Sequence, residues 1–244
     1  MIDDEIIRME RCHVKAWPAL ETRDIQGWHW RYSGGGSQRA NSVSTVDFTG
    51  DDPEAAIVEV ESHYRGKAAA ARFHTFDLTQ PRGLEVLLAD RGYQETESTI
   101  TMVKNIEPHS TPIDTEQHDQ AEAEWQDVYL GAITENRRDV NRLILETIPS
   151  PRQFFVCRRD GRVISTALSV IGHRCAVVEC VATRADARRQ GGADAVMRAL
   201  EFWAATQDAD LLGLQVVATN AAAIALYERL GFVAGARNRF WVKP

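Results

Sequence analysis

The run from Glu179 to Phe232 constrains this chain most. In order, it reads as a strand, an arginine-glycine turn, an amphipathic helix, a second strand and a helix carrying one tyrosine. The β-like stretch Ala176-Val177-Val178-Glu179-Cys180-Val181-Ala182 leads into Arg188-Arg189-Gln190-Gly191-Gly192-Ala193. Val196, Ala199, Leu200, Trp203 and Ala204 follow at i, i+3, i+4, i+7 and i+8, one apolar face of a helix. Gly191, Gly192 and Ala193 are therefore expected in the first helical turn, where backbone N–H groups have no intrahelical partner and only small side chains permit close approach. Such a turn binds anions. Arg188 and Arg189 add forked donors, with Gln190 beside them, so a pyrophosphate is the natural guest. The turn alone leaves open an ordinary helix start with solvated arginines.

Two further features narrow the reading. Neither the G-x-G-x-x-G order of a dinucleotide fold nor the terminal Gly-Lys-Ser/Thr of a P-loop is present. Arg188-x-x-Gly191-x-Ala193 instead resembles the (Q/R)-x-x-G-x-(G/A) signature of the GNAT superfamily of acyl-CoA-dependent N-acetyltransferases. Downstream, Asn220-Ala221-Ala222-Ala223-Ile224-Ala225-Leu226-Tyr227-Glu228-Arg229-Leu230-Gly231-Phe232 is similar to the family's N-x-x-A-x-x-x-Y-x-x-x-G-F segment. The resemblance covers about the C-terminal half, from near Thr111 to the end.

The resemblance implies an α/β fold: a mixed, mostly antiparallel twisted sheet flanked by helices. It also implies acetyl-CoA as cosubstrate, with direct attack by a primary amine. By resemblance, Val181, Ala182 and Thr183 offer backbone groups to the pantetheine arm, and Arg188 to Ala193 hold the pyrophosphate. Tyr227 stands where the family commonly places its general acid, and a phenol of pKa about 10 stays protonated at neutral pH. The plain alternative is a core tyrosine, since Ile224, Tyr227 and Leu230 recur at helical spacing. Asn220 either caps its helix or faces the cofactor. Glu179 is the candidate base: it lies two residues before Val181, hence on the same side of a regular strand, and its neighbours Val178 and Cys180 would desolvate it and raise its pKa. Cation binding or a solvated position are the other roles open to it. Asp194 fits poorly beside a pyrophosphate unless the helix turns it outward.

The Pro-bearing stretch 105–112 is the expected linker. It divides the chain into residues 1–106, a degenerate GNAT-like or accessory domain, and residues 111–244, the acetyltransferase domain. A faint repeat supports two GNAT-like units: Leu88-Ala89-Asp90-Arg91-Gly92-Tyr93 can be laid over Tyr227-Glu228-Arg229-Leu230-Gly231-Phe232, each with a glycine ending a helix before a strand. Leu88 replaces the tyrosine, and no arginine-glycine turn precedes it. The Ser33-Gly34-Gly35-Gly36-Ser37 run reads as a flexible hairpin loop between strands at 27–32 and 40–48 rather than as a ligand loop.

A formal charge of −7 argues against nucleic acid as a general partner. The four cysteines form no C-x-x-C pair and the histidines are scattered, so no metal is expected. An acidic start and the lack of any membrane-length apolar run point to a cytoplasmic protein without a membrane partner. The acceptor is expected to be a small-molecule or peptide amine. A homodimer, or two fused halves imitating one, stays open. So do a non-catalytic acyl-CoA-binding regulatory module and transfer of a longer acyl group.

Overall fold

The computed structural model of the protein describes residues 3–107 and 115–243. Residues 108–112 of the expected linker, and the first two of the acidic start, lie outside them. From the N-terminus come α1 (Asp3–Ala16), β1 (Glu21–Ile25), β2 (Trp28–Tyr32), β3 (Val43–Ser44), α2 (Pro53–Gly66), β4 (Ala71–Phe76), α3 (Leu84–Asp90) and β5 (Gln94–Asn105). Then follow β6 (Thr115–His118), α4 (Ala123–Ala132), α5 (Glu135–Thr147), β7 (Arg152–Arg159), β8 (Arg162–Gly172), β9 (Cys175–Thr183), α6 (Gly192–Thr206), β10 (Leu211–Val217), α7 (Ala221–Arg229) and β11 (Val233–Lys243). Local chemistry accounts for many boundaries. Asp52 caps α2 by accepting from the Ala55 N–H at 3.0 Å, with Pro53 at the first helical position. Asp160 and Gly161, both at positive φ, turn β7 into β8.

All eleven strands join one sheet in the order β1-β2-β3-β4-β11-β5-β10-β9-β8-β7-β6. Among the described residues only β3–β4 and β9–β10 run parallel. The expected mixed, mostly antiparallel α/β architecture is present. Its centre is an exchange of strands: β5 lies beside β10, β11 lies beside β4, and β5 and β11 pair antiparallel between them. Each of β4 and β10 thus has a parallel neighbour from its own half and an antiparallel neighbour from the other.

The two helix ends singled out as a repeat match in detail. The Gly92 N–H donates to Ala89 O and Tyr93 N–H to Leu88 O; the Gly231 N–H donates to Glu228 O and Phe232 N–H to Tyr227 O. Gly92 and Gly231 take φ of +86° and +88°, a region that a Cβ disfavours.

Helices cover both faces of the sheet. Residues of α1, α4 and α5 pack with Val177, Leu211 and Phe76, whereas α6 and α7 pack with Ala176, Val178 and Leu212 on the opposite face. The helices α2 and α3 cover Trp28, Trp30 and Phe73. Helix α1, although it begins the chain, lies against β8, β9 and β10; a Cβ on Gly213 of β10 would run into Met9. No described helix is long and apolar enough to cross a membrane.

Two strands, β1 and β6, were not expected from the sequence, and one expected strand shortens. β1 and β6 carry no apolar alternation because they are the two edges of the sheet, with β1 exposed over most of its length and β6 at its two central residues. The strand expected at 40–48 shrinks to Val43–Ser44, with Arg39–Asn41 wound into a 3-10 turn. Its cause is Asn41, whose side chain accepts from Ser33 and Gly35 N–H and donates to Gly35 and Ser37 carbonyls. The glycine run is therefore not a plain hairpin loop: β2 and β3 share one pair, His29 with Ser44, and β2 forms its hairpin with β1.

Candidate functional site

The site begins where β9 and β10 part. They pair only from Cys175 to Val177 against Leu211 to Gly213. Beyond that point β9 stays with β8 and β10 with β5, so a wedge opens between them. The edge of β9 from Val178 to Thr183 that faces this wedge has backbone donors and acceptors without a ladder partner, a strip that an extended ligand can pair with.

A bulge sharpens the divergence. Thr166 pairs with Ala182 but Leu168 with Glu179, so Ala167 faces both Cys180 and Val181, and Cys180 sits at φ +55°. The bulge also corrects the expected alternation. Cys180 and Ala182 pack with Val177 on the α1 face, whereas Val181 packs with Ala176 and Val178 on the α6 face. Glu179, bonded to groups on the α1 side, is therefore on the face opposite Val181.

The wedge runs into a cleft of ≈ 620 Å³ that collects Glu179, Val181 to Thr183, Arg188, Arg189, Gly191 to Asp194, Asn220 and Tyr227. Of the residues expected there, Gln190 alone is not part of its wall. Arg188 is extended, Arg189 and Gly191 take positive φ of 62° and 79°, and α6 starts at Gly192 with Gly191 as its cap. The first bond of α6 on this turn runs from Ala195 N–H to Gly191 O, which leaves the N–H groups of Gly192, Ala193 and Asp194 without intrahelical acceptors. The two glycines serve different ends. Gly191 supplies the left-handed backbone, with open space around it. Gly192 lets α6 approach β8, since a Cβ there would run into Ser165 Oγ and come within 3.1 Å of Ile164. Arg188 and Arg189 are exposed. Asp194 turns to Arg198, accepting from its Nε at 2.7 Å in an exposed ion pair that offsets its charge.

Asn220 caps α7, accepting from the Ala223 N–H at 3.2 Å. Tyr227 is both core and cleft residue: it is 8% exposed, meets Phe232 edge-on at 5.9 Å, and its hydroxyl makes no hydrogen bond among the described residues. Burial, together with the negative charge of Glu179, pushes its pKa up to about 12.

Glu179 departs from expectation in its electrostatics. It is 7% exposed, and burial does push its pKa up. Arg39, however, donates from Nη1 and Nη2 to both carboxylate oxygens at 2.6 Å, and His13 Nδ1 lies 3.9 Å away. The pair with Arg39 wins, and the pKa falls to about 2. This carboxylate is held ionised, which makes it a weak base.

The sequence reading missed a second chamber. About 480 Å³ in volume, it shares Arg39, Tyr129, Arg137, Gln215 and Val217 with the cleft and extends toward Arg72 and Phe240. Its floor is the exchanged centre of the sheet. Its roof is the glycine run, clamped from above: Asn141 Nδ2 and Arg137 Nε each donate to Gly36 O at 2.9 Å, and Trp17 Nε1 donates to Ser37 Oγ at 3.0 Å. The signal was the Gly34-Gly35-Gly36 run with Arg39 and Asn41 just after it. Among the described residues no group of three or more His, Cys, Asp or Glu could hold a metal ion.

Taken together, the cleft brings into one place an unpaired strand edge, a helix start with three free N–H groups beside two arginines, and a buried phenol, and the chamber adjoins it. Known proteins resemble this chain in sequence and in fold. Residues 111–232 match the Acetyltransferase (GNAT) family. An uncharacterised N-acetyltransferase of Bacillus subtilis (strain 168), YobR, is 26% identical over 250 residues, spanning 98% of this chain and 99% of that protein. The GCN5-related N-acetyltransferase from Kribbella flavida has a similar fold, with a TM-score of 0.68 at 17% identity, covering 98% of this chain and 95% of the other. So does a tandem GNAT protein from the clavulanic acid biosynthesis pathway, with a TM-score of 0.62 at 14% identity over 83% of this chain and 74% of that one.

Proposed function

The chain belongs to the acetyltransferase (GNAT) family and is an acyl-CoA-dependent acyltransferase, and from that premise we propose that it moves an acetyl group from acetyl-CoA to a primary amine by direct attack. The observation that carries this reading is the convergence, in one cleft, of the free β9 edge, the turn at Arg188 to Ala193 and the Tyr227 phenol. The wedge suits a pantetheine arm along Val181, Ala182 and Thr183. The N–H groups of Gly192, Ala193 and Asp194, with Arg188 and Arg189, suit a pyrophosphate.

Bound acetyl-CoA would supply the activated acyl carbon and a thiolate leaving group. The chain's own task is to hold an amine against that carbon and to manage protons. Water takes the proton of the incoming ammonium, because Glu179 at a pKa of about 2 accepts one poorly. Glu179 instead, held ionised by Arg39 where the cleft meets the second chamber, offers carboxylate oxygens as hydrogen-bond acceptors for the incoming amine. As the C–N bond forms and the C–S bond breaks, Tyr227 gives its proton to the sulfur. The N–H proton released on amide formation returns the phenol to its acid form through solvent. A buried phenol with pKa about 12 stays protonated until called on. Asn220 caps α7, on which Tyr227 stands.

We also propose that residues 1–106 and 111–244 descend from two GNAT-like units. The matched helix ends at Gly92 and Gly231 and the exchanged strands β5 and β11 support that division. The first unit would supply the chamber's roof and Arg39 in place of a chemistry of its own.

Calorimetric titration with acetyl-CoA, followed by thiol release against a panel of amines, tests the reading. Binding with amine-dependent release is expected. Binding without release from any amine would favour a regulatory acyl-CoA-binding module, and no binding would remove the cleft assignment.

A further inference from the structure

The second chamber holds two arginines that form no ion pair among the described residues. Of its carboxylates, Glu97 accepts from the Gln38 amide, and Glu179, at the junction with the cleft, is gripped by Arg39. Glu10, buried behind the chamber, accepts from Thr101, Asn238 and Gln215. Arg72 and Arg137 remain, and neither has a carboxylate partner among the described residues.

Arg72 is the more telling. It rises from β4 into the chamber, half-buried. Its Nη1 reaches only the Asn41 carbonyl, at 3.3 Å, and its Nε is buried with no acceptor. Burial lowers its pKa, the opposite of what a paired carboxylate would do. A partly desolvated guanidinium without a counter-ion is unfavourable unless a ligand provides one. Arg137 approaches from the roof, where its Nε is spent on Gly36 O, leaving its Nη donors for a second contact.

Resting on the acyl-transfer reading above, we propose that the acceptor is an amino acid whose carboxylate is held by Arg72 and Arg137 while its amine points to the junction at Glu179. The groups are ordered for such a zwitterion: the carboxylate of Glu179, paired with Arg39, offers acceptor oxygens on the side of the reacting carbon, and the Arg72 guanidinium, with no carboxylate partner among the described residues, lies at the far end. A volume of about 480 Å³ accommodates a molecule of that size. Planar guanidinium forks match a carboxylate bidentately. A diamine or a polyamine would bring a second cation against Arg72.

Thiol release from acetyl-CoA is measured for matched acceptors: α-amino acids and ω-amino acids of increasing length, their carboxamides, aminoalkyl phosphates and diamines. Free amino acids are expected to exceed their carboxamides about tenfold or more in kcat/KM. Arg72→Gln should raise KM for the amino acid by about tenfold, leave kcat nearly unchanged and abolish the preference over the carboxamide, with acetyl-CoA affinity retained. Diamines or aminoalkyl phosphates as the better acceptors, or equal rates for acid and carboxamide in the unmodified protein, overturn the inference while leaving acetyl transfer standing. Acetyl-CoA binding with no release from any amine overturns both.

Discussion

Arg39 grips Glu179 through two parallel hydrogen bonds of 2.6 Å, tying the turn after the glycine run to the bulged strand 140 positions later. The pair sits where cleft and chamber meet, so it ties the chamber's roof to the strand edge that lines the cleft. Replacing Arg39 by Gln leaves a buried carboxylate unpaired, at a cost of about 3 to 5 kcal/mol. Urea unfolding at neutral pH should show that loss, and Arg39→Met with Glu179→Met should lose less than Arg39→Gln alone. The pH dependence has a definite sign. Glu179 is depressed in the folded state to about 2, so its contribution is present above the ordinary glutamate range and lost as pH falls toward 2. Arg39→Gln should remove that acid-side loss of stability, because the unpaired carboxylate would no longer be held below its unfolded value.

Tyr227→Phe keeps the ring and its edge contact with Phe232 and removes only the hydroxyl. Turnover should fall about 100-fold, within the range for a positioned general acid, while calorimetry finds acetyl-CoA affinity unchanged. Because burial holds the phenol to about pH 12, kcat should show no alkaline limb from this group through pH 10. Unchanged turnover would return Tyr227 to a purely packing role.

The pattern of the chain announced the cleft but not the chamber, for physical reasons. Turn, helix and tyrosine are consecutive in sequence, and their spacing obeys helical and strand periods that residues such as Val196, Ala199 and Trp203 display openly. The strand exchange left a trace only at Gly92 and Gly231, where a left-handed backbone demands glycine twice. Arg39, Arg72 and Arg137 come from three distant segments brought together by that exchange, and no local period links them. The bulge at Cys180 was equally silent, because a non-glycine residue at positive φ has no sequence mark.

At the anion turn, Gly192→Ala should weaken acetyl-CoA binding by a route other than blocking the ligand. The added methyl meets Ser165, whose Oγ is hydrogen-bonded to Thr183 Oγ1 at 2.8 Å and so cannot rotate away freely. The start of α6 must lift from β8, and its N–H groups move with it. An affinity loss of about tenfold is expected, and adding Ser165→Ala should recover part of it. No recovery would place the effect elsewhere than this contact.

Gly36 offers the sharpest separation of acceptor from cofactor. Its φ is +70°, and a Cβ there would stand 2.6 Å from Val140 Cβ on α5, the helix whose Arg137 and Asn141 both donate to the Gly36 carbonyl. Gly36→Ala therefore strains the backbone and pushes the roof off α5 together, for about 1 to 3 kcal/mol from overpacking alone. Gly34→Ala is the control: at φ +73° it carries the same backbone strain, with no atom near the new methyl. Both variants should bind acetyl-CoA like the unmodified protein, since the β9 edge and the turn proposed to hold it do not border the chamber. Gly36→Ala alone should raise acceptor KM about tenfold or more, because displacing the roof also displaces Arg137 from the chamber. If the two substitutions raised KM equally, backbone strain in the loop rather than its seat on α5 would set the acceptor site.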